Sequence, residues 1–177
     1  MSTNNHIVKI TKHMKINPYN GLSRKEGFQL EKDCLTLLNS NFECICGLNC
    51  NHFPKIIKCF PEKCKFILSN CGYSLNKYEL KLRTKKIKPY KIKKIDEQID
   101  CIIYNLKKCN IKHLDMHGSG KNICINKDGC ISLIDFDIAV INEKCLSEKI
   151  KRKLERFAPQ NYNGAGRFKR IISKIIK

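Results

Sequence analysis

The chain has 177 residues, of which 42% are hydrophobic and 29% are charged, so it can bury a packed core and is not a disordered polypeptide. No apolar run reaches the roughly eighteen residues of a membrane-spanning helix, and the first residues carry no apolar signal block. We therefore expect no transmembrane segment and no secretion. The formal net charge of +19 attracts phosphate-bearing partners, nucleic acid among them.

Lysine, isoleucine and asparagine dominate the whole chain, a composition typical of AT-rich genomes such as those of large DNA viruses and some parasites. We therefore interpret most of the positive charge as compositional and keep nucleic-acid binding as the lesser alternative. A cytoplasmic location is expected, which for a viral protein means the host cell.

The first half of the chain predicts strands around one helix. Residues 6–12 predict a short strand, because β-branched residues stand there with lysine among them. Residues 25–38 carry apolar side chains at helical spacing, and Ser23 with a glutamate three residues later is typical of a helix start. Two further strands are predicted at 53–60 and 63–70, separated by a turn at a proline.

The second half predicts two helices and a hairpin. Residues 71–80 indicate a loop that opens into a short helix, and 81–94 form a basic, exposed segment. Apolar residues at helical spacing predict a helix over 96–109. Residues 122–137 predict a hairpin, since a Lys-Asp-Gly turn separates two apolar runs. The tail, 142–177, is predicted to be helical and basic, with isoleucines that pack on the core or, less favoured, lie on an anionic membrane surface.

Twelve cysteines are many for a chain without a secretory signal, so free thiols or metal ligands are expected in preference to disulfides. The tightest group is Cys44, Cys46, Cys50 and His52, which resembles half of a zinc site. No clean second pair follows it. Burial of these cysteines as small apolar side chains is therefore the favoured alternative to zinc.

The polar residues around the predicted hairpin form an ordered pattern. His113 and Asp115 precede it, Asn122 begins it, and Asp135 ends it within the sequence Asp-Phe-Asp. Oxygen ligands at the two ends of one hairpin can hold Mg²⁺ against nucleotide phosphates. This segment resembles the catalytic segment of the protein-kinase-like superfamily, in which H-x-D is followed by N, a hairpin and D-F-G or D-F-D.

The resemblance continues upstream, so that it covers roughly residues 7–140. The helix with Glu31 resembles the regulatory helix and its ion-pairing glutamate, and Lys9 stands where the phosphate-binding lysine is expected. Two departures are visible. Six residues separate Asp115 from Asn122 where four are usual, and Asp137 replaces the usual glycine.

The resemblance implies a role for each of these residues. Lys9, held by Glu31, would reach the α- and β-phosphates of ATP, and Asn122 and Asp135 would bind Mg²⁺. Asp115 would orient the attacking hydroxyl or accept its proton. The side chain of His113 would brace the catalytic loop without reacting.

The fold implied is α+β, a reduced two-lobed kinase-like architecture. Residues 1–72 would form a small lobe with one strand, the helix, a cysteine-rich loop and two strands. Residues 73–177 would form a mostly helical lobe with the catalytic loop, the metal-binding hairpin and the basic tail. Only eight residues precede Lys9 and 40 follow Asp137, so we expect no glycine-rich strand pair and no complete helical platform.

The leading functional hypothesis is a phosphotransferase that moves the ATP γ-phosphate to a hydroxyl, on a serine or threonine of a protein substrate, with Mg²⁺ as cofactor. The alternative is a pseudokinase that binds a partner protein without turnover. A third hypothesis is a basic zinc- and nucleic-acid-binding protein that uses the group at 44–52. It ranks third because it leaves the ordered segment 113–137 unexplained.

Overall fold

The chain combines α-helices with small antiparallel sheets. A computed structural model describes residues 6–10, 22–115, 120–142, 170 and 172. Within these ranges there are three α-helices, two three-stranded sheets and one two-stranded sheet. This confirms the α+β class. The inserted loop residues 116–119 and nearly all of the predicted tail helix lie outside the described residues.

The first sheet contains three strands in the order β1-β3-β2: β1 (His6–Ile10), β2 (Ile56–Phe60) and β3 (Lys65–Ser69). All three predicted strands are confirmed, each shorter than the apolar run that predicted it. Phe66 and Leu68 alternate with half-buried residues along β3, so one face of the sheet is buried and the other is partly open. The register places Lys9, on the edge strand β1, opposite Phe66 on the central strand β3.

Helix α1 (Arg24–Ser40) packs on this sheet. Its start is a capping box, because the Ser23 hydroxyl accepts from the backbone of Glu26 while the Glu26 carboxylate accepts from the backbone of Ser23. The ring of Phe28 stacks on the ring of Phe66 at 4.2 Å between centroids. Glu31 lies on the same buried face of α1 and is 1% exposed, although its neighbours there are apolar.

The second half of the described chain contributes the remaining elements: β4 (Tyr73–Ser74), α2 (Leu75–Arg83), α3 (Ile95–Lys108), β5 (Ile111–Lys112), β6 (Ile123–Ile125), β7 (Ile131–Leu133) and β8 (Val140–Ile141). They surround a second sheet in the order β4-β6-β7, in which β6 and β7 form the predicted hairpin. Helices α2 and α3 confirm the two predicted helices, with α2 extending into the basic segment.

The hairpin is buried along both strands, and α3 holds its turn. The side chain of Gln98 donates to the carbonyl of Gly129 at 3.0 Å and accepts from the backbone of Ile131 at 2.8 Å. Gly129 has a φ of +79°, and a Cβ there would lie 2.3 Å from the carbonyl oxygen of Lys91. Only glycine fits this close approach. The turn of the hairpin is therefore fixed in position against α3 and the segment before it.

The loop between α1 and β2 is tied to this hairpin by a disulfide bond between Cys50 and Cys130, whose Cα atoms are 5.6 Å apart. Backbone contacts run beside it, since the amide of Leu133 donates to the carbonyl of His52 at 2.9 Å. The expectation of free thiols or metal ligands is therefore wrong for Cys50. The loop brings two cysteines together that are 80 residues apart in sequence, which spacing alone does not reveal.

The core continues from α1 through α3 and the hairpin. Ile172 of the tail is 1% exposed and belongs to this core, which supports packing as its role. Among the residues that the structure describes, no helix combines the length and apolar character needed to cross a membrane.

Candidate active site

Three charged side chains from separate elements meet beside the first sheet. The ammonium of Lys9 on β1 donates to both carboxylate oxygens of Glu31 on α1, each at 2.7 Å. It also donates to Asp135 Oδ1, which follows the hairpin, at 2.6 Å. We call Lys9, Glu31 and Asp135 the charged cluster. Since 126 residues separate Lys9 from Asp135, the fold and not local sequence creates it.

The charged cluster holds two carboxylates against one ammonium. Burial alone would lower the pKa of Lys9, but the charges of Glu31 and Asp135 and their hydrogen bonds raise it well above its usual range. Burial opposes ionisation of Asp135 as well, yet Lys9 keeps the pKa of that carboxyl below its ordinary value. The side chain of Asp135 is 32% exposed, so a surplus of negative charge faces solvent. Such a site attracts a cation.

The backbone around Asp135 is held in an uncommon conformation. Asp135 has a φ of +70°, in the left-handed region that non-glycine residues rarely adopt. The next residue, Phe136, is fully buried, and its amide donates to Glu31 Oε1 at 3.4 Å. Its ring packs edge-on against His113, with 4.7 Å between ring centroids. These contacts turn the Asp135 carboxylate toward Lys9.

His113 is a buried side chain that holds the loop before the hairpin in place by hydrogen bonds. Its Nε2–H donates to the carbonyl of Ile134 at 2.8 Å, which leaves Nδ1 to accept from the amide of Asp115 at 3.3 Å. Burial lowers the pKa of His113, so the ring is neutral and both bonds fit one tautomer. The arrangement agrees with a bracing residue that takes no part in proton transfer.

Asp115 and Asn122 are joined across the inserted loop. The amide of Asn122 donates to the backbone carbonyl of Asp115 at 2.8 Å and to its Oδ2 at 2.7 Å. The amide oxygen of Asn122 makes neither of these bonds. Lys121 lies 3.5 Å from Asp115 Oδ2. The two extra residues of the loop therefore leave Asp115 and Asn122 in contact.

A second aspartate completes an acidic group near the charged cluster. Burial raises the pKa of Asp137 to about 6, and the charges of Asp135, Glu31 and Asp115 add to the effect. The chain has only 16 acidic residues against 35 basic ones, yet three other carboxylates raise the pKa of Asp137 here. Convergence of carboxylates in a basic protein is costly unless a cation is bound beside them.

A cavity of about 440 Å³ opens next to the charged cluster. One wall is β1, whose Ile7, Val8 and Ile10 are exposed apolar side chains. The other walls come from β3 and the segment after it, from the hairpin and from the residues that end it. They include Ser69, Cys71, Cys124, Ile134 and Asp135. Apolar walls with charge at one end suit a ligand that has a flat apolar part and a charged part.

The structure brings together every residue that the sequence predicts for this site. Lys9, Glu31 and Asp135 are in direct contact, and Asp115 contacts Asn122. The two groups are linked because the amide of Ile134 donates to the carbonyl of Asn122 at 2.9 Å. The residues united in this way are Lys9, Glu31, His113, Asp115, Asn122 and Asp135.

The predicted zinc group is brought together only in part. Cys44, Cys46 and His52 remain near one another, but Cys50 is bonded to Cys130 and is not available as a ligand. A third thiol, Cys101 on α3, lies with Cys44 and Cys46. The sequence offers no signal for Cys101 as a ligand, because in the predicted helix this residue looks like an ordinary apolar position.

No protein-family model matches this chain, and no curated protein matches it. Its function must therefore be inferred from the site itself. The strongest features are the charged cluster, the linked pair Asp115 and Asn122, and the cavity between them and the sheet.

Proposed function

We propose that the protein is a kinase-like phosphotransferase that transfers the γ-phosphate of ATP to a hydroxyl, on a serine or threonine of a protein. The observation that carries the proposal is Lys9 held between Glu31 and Asp135. A lysine, a helix glutamate and an aspartate after a hairpin are the parts that position nucleotide phosphates and metal in this class.

The proposal includes a reduced two-lobed fold. The first sheet and α1 would form the small lobe, and α2, α3 and the hairpin would belong to the larger lobe. The cavity would lie between the lobes and receive the base against the apolar side chains of β1. The phosphates would then extend toward Lys9, because its ammonium is the cation of the charged cluster and its side chain is partly exposed.

The donor set fits Mg²⁺, which prefers oxygen ligands from one or two protein side chains plus phosphates. Asp135 and the amide oxygen of Asn122 would hold it. Mg²⁺ would neutralise charge on the phosphates. Two carboxylates facing one ammonium supply the negative surplus that such an ion requires.

Asp115 would act on the acceptor. In the transfer, the acceptor oxygen bonds to the γ-phosphorus, the bond from that phosphorus to the bridging oxygen breaks, and ADP leaves. The proton of the acceptor hydroxyl passes to the Asp115 carboxylate. Asn122 and Lys121 orient this carboxylate, at 2.7 and 3.5 Å from Oδ2.

The test is transfer of labelled γ-phosphate to a general basic protein substrate or to the chain itself, with Mg²⁺ present. We expect activity in the native chain and a loss of at least a hundredfold in Asp115→Asn, because general base catalysis contributes about 10²–10⁴-fold. Asp128→Asn is the matched control, since Asp128 is an exposed aspartate in the turn of the hairpin.

Two results would overturn the proposal or narrow it. If Asp115→Asn transfers phosphate as fast as the native chain, the assigned role of Asp115 is wrong. If the native chain binds Mg²⁺ and ATP but transfers nothing to any acceptor, the pseudokinase alternative replaces turnover.

A further inference from the structure

A group of thiols lies apart from the candidate active site, where the loop after α1 meets α3. The Sγ atoms of Cys44 and Cys46 are 3.5 Å apart. Together with the Sγ of Cys101 they form a set in which every pair lies within 4.8 Å. We call Cys44, Cys46 and Cys101 the cysteine cluster. Two elements that are distant in sequence thus contribute thiols to one point.

A histidine nitrogen faces the same cluster. His52 Nε2 lies 3.5 Å from Cys46 Sγ. The other ring nitrogen, Nδ1, donates its hydrogen to the carbonyl of Ile131 at 2.6 Å. That bond fixes the tautomer and leaves a lone pair on Nε2. Histidines that bind metals are typically oriented by this type of bond from the second nitrogen.

We propose that Cys44, Cys46 and Cys101 bind one Zn²⁺, with His52 as the fourth ligand. Three thiolates and one imidazole are a common set for structural zinc. With Zn–S bonds of about 2.3 Å and a Zn–N bond of about 2.0 Å, tetrahedral ligands lie about 3.5–3.8 Å apart. The two contacts at 3.5 Å, Cys44–Cys46 and Cys46–His52, are close to this spacing. His52 Nε2 lies outside the set in which every pair of ligand atoms is within 4.8 Å, so the ring must move toward Cys44 and Cys101 when the ion binds.

Hydrogen-bond donors and one cation lie beside the cysteine cluster. The amide of Ile45 donates to Cys101 Sγ at 3.4 Å, and the side-chain amide of Asn105 lies 3.7 Å from the same sulfur. The ammonium of Lys94 donates to the carbonyl of Cys46 at 3.4 Å and brings a positive charge beside the cluster. N–H donors and a cation stabilise a site with three thiolates and one divalent ion, whose net charge is negative.

Simple burial explains this group less well. A cysteine that serves as a small apolar side chain is enclosed by the core, but Cys44 is exposed. Gly47, directly after Cys46, has a φ of +65° and turns the loop back toward α3. The ion would therefore fasten the loop that follows α1 to α3, beside the bonds of Asn105 to the backbone of Glu43.

The experiment is metal analysis of the full chain after purification in the presence of zinc and removal of loosely bound ions. We expect one zinc per chain, and less than a tenth of that in Cys44→Ser. Cys59→Ser is the matched control, because Cys59 is a free, partly exposed cysteine outside the cluster and should keep full occupancy. Cys44 is exposed, so its loss of zinc does not depend on damage to the core.

Substitution of Co²⁺ provides the second measurement. The native chain should show the visible absorption of tetrahedral cobalt with charge transfer from thiolate, and His52→Gln should shift this spectrum. Cys50→Ser should leave it unchanged, because Cys50 is bonded to Cys130. No zinc in the native chain, or full zinc in both Cys44→Ser and Cys101→Ser, would overturn the proposal. None of these results depends on phosphotransfer.

Discussion

The charged cluster and the cysteine cluster differ in how their polar groups are paired. In the charged cluster, Lys9 donates to Glu31 and Asp135, so each buried charge already has a protein partner. In the cysteine cluster, three sulfurs lie within 4.8 Å of one another, and among the described residues their hydrogen bonds are to one another and to uncharged groups, mostly of the backbone. The first group pairs its buried charges within the protein and still presents the partly exposed Asp135 carboxylate to a cation, whereas in the second we propose that an ion joins the sulfurs.

This difference suits the charged cluster to binding a ligand and the cysteine cluster to stabilising the fold. The charged cluster is partly exposed and borders a cavity, so its partners can be exchanged for phosphate and metal. The cysteine cluster lies where the loop after α1 meets helix α3, and two of its three cysteines, Cys46 and Cys101, are buried. We infer that the first serves function and that the second fixes the loop that connects Glu31's helix to the first sheet.

The largest effect is expected from removal of the disulfide bond that ties the loop after α1 to the hairpin. The bond between Cys50 and Cys130 closes a loop of about 80 residues, so Cys50→Ser should lower the free energy of unfolding by about 4 kcal/mol. Denaturant unfolding without reductant measures it, with Cys59→Ser as control. Zinc binding should persist in the folded variant. Equal stability of Cys50→Ser and the native chain would show that this bond does not constrain the chain.

A second prediction concerns the charged cluster alone. Lys9→Met leaves Glu31 buried at 1% exposure without its cation and should cost about 3 kcal/mol, the low end for a broken buried pair because Lys9 is 24% exposed. The double variant Lys9→Met with Glu31→Gln should lose much less than the sum of the single losses. Urea unfolding measures all three variants. Additive losses would contradict a direct interaction between Lys9 and Glu31.

A third prediction distinguishes the regions in one experiment by alkylation of thiols. Burial raises the pKa of Cys71 and that of Cys124, the latter to about 12, and both line the cavity. ATP with Mg²⁺ at a hundred times its Kd should slow their modification up to about a hundredfold. Zinc should slow that of Cys44 instead. Protection of Cys44 by nucleotide, or of Cys71 by zinc, would contradict the separation of the sites.

Much of the local structure can be predicted from the sequence, because local physics decides it. The capping box at Ser23 and Glu26, the apolar face of α1 and the turn at Gly129 all depend on residues a few positions apart. The candidate active site could also be predicted, but by a different route. The order of its polar residues along the chain resembles a known pattern, and the structure places Lys9 beside Glu31 and Asp135 and Asp115 beside Asn122. Their roles in phosphate transfer stay a prediction.

The cysteine chemistry could not be predicted in the same way. Cys101 lies on a helix 55 positions after Cys46, and Cys130 lies 80 positions after Cys50. Neither pairing is indicated by periodicity or by short sequence spacing, because both form only when the loop after α1 packs against α3 and the hairpin. The sequence therefore identified Cys44, Cys46 and His52 correctly as neighbours but chose the wrong additional cysteine.

Binding of nucleotide tests the central claim most directly. The native chain is heated alone, with ATP, with Mg²⁺ and with both, beside Asp135→Asn and the exposed control Asp128→Asn. Ligand at a hundred times its Kd adds about 2.7 kcal/mol to the free energy of unfolding. We predict a raised midpoint that needs both ATP and Mg²⁺, is absent in Asp135→Asn and is kept in Asp128→Asn. No shift in the native chain, or an equal shift in Asp135→Asn, would contradict a magnesium–nucleotide site at the charged cluster.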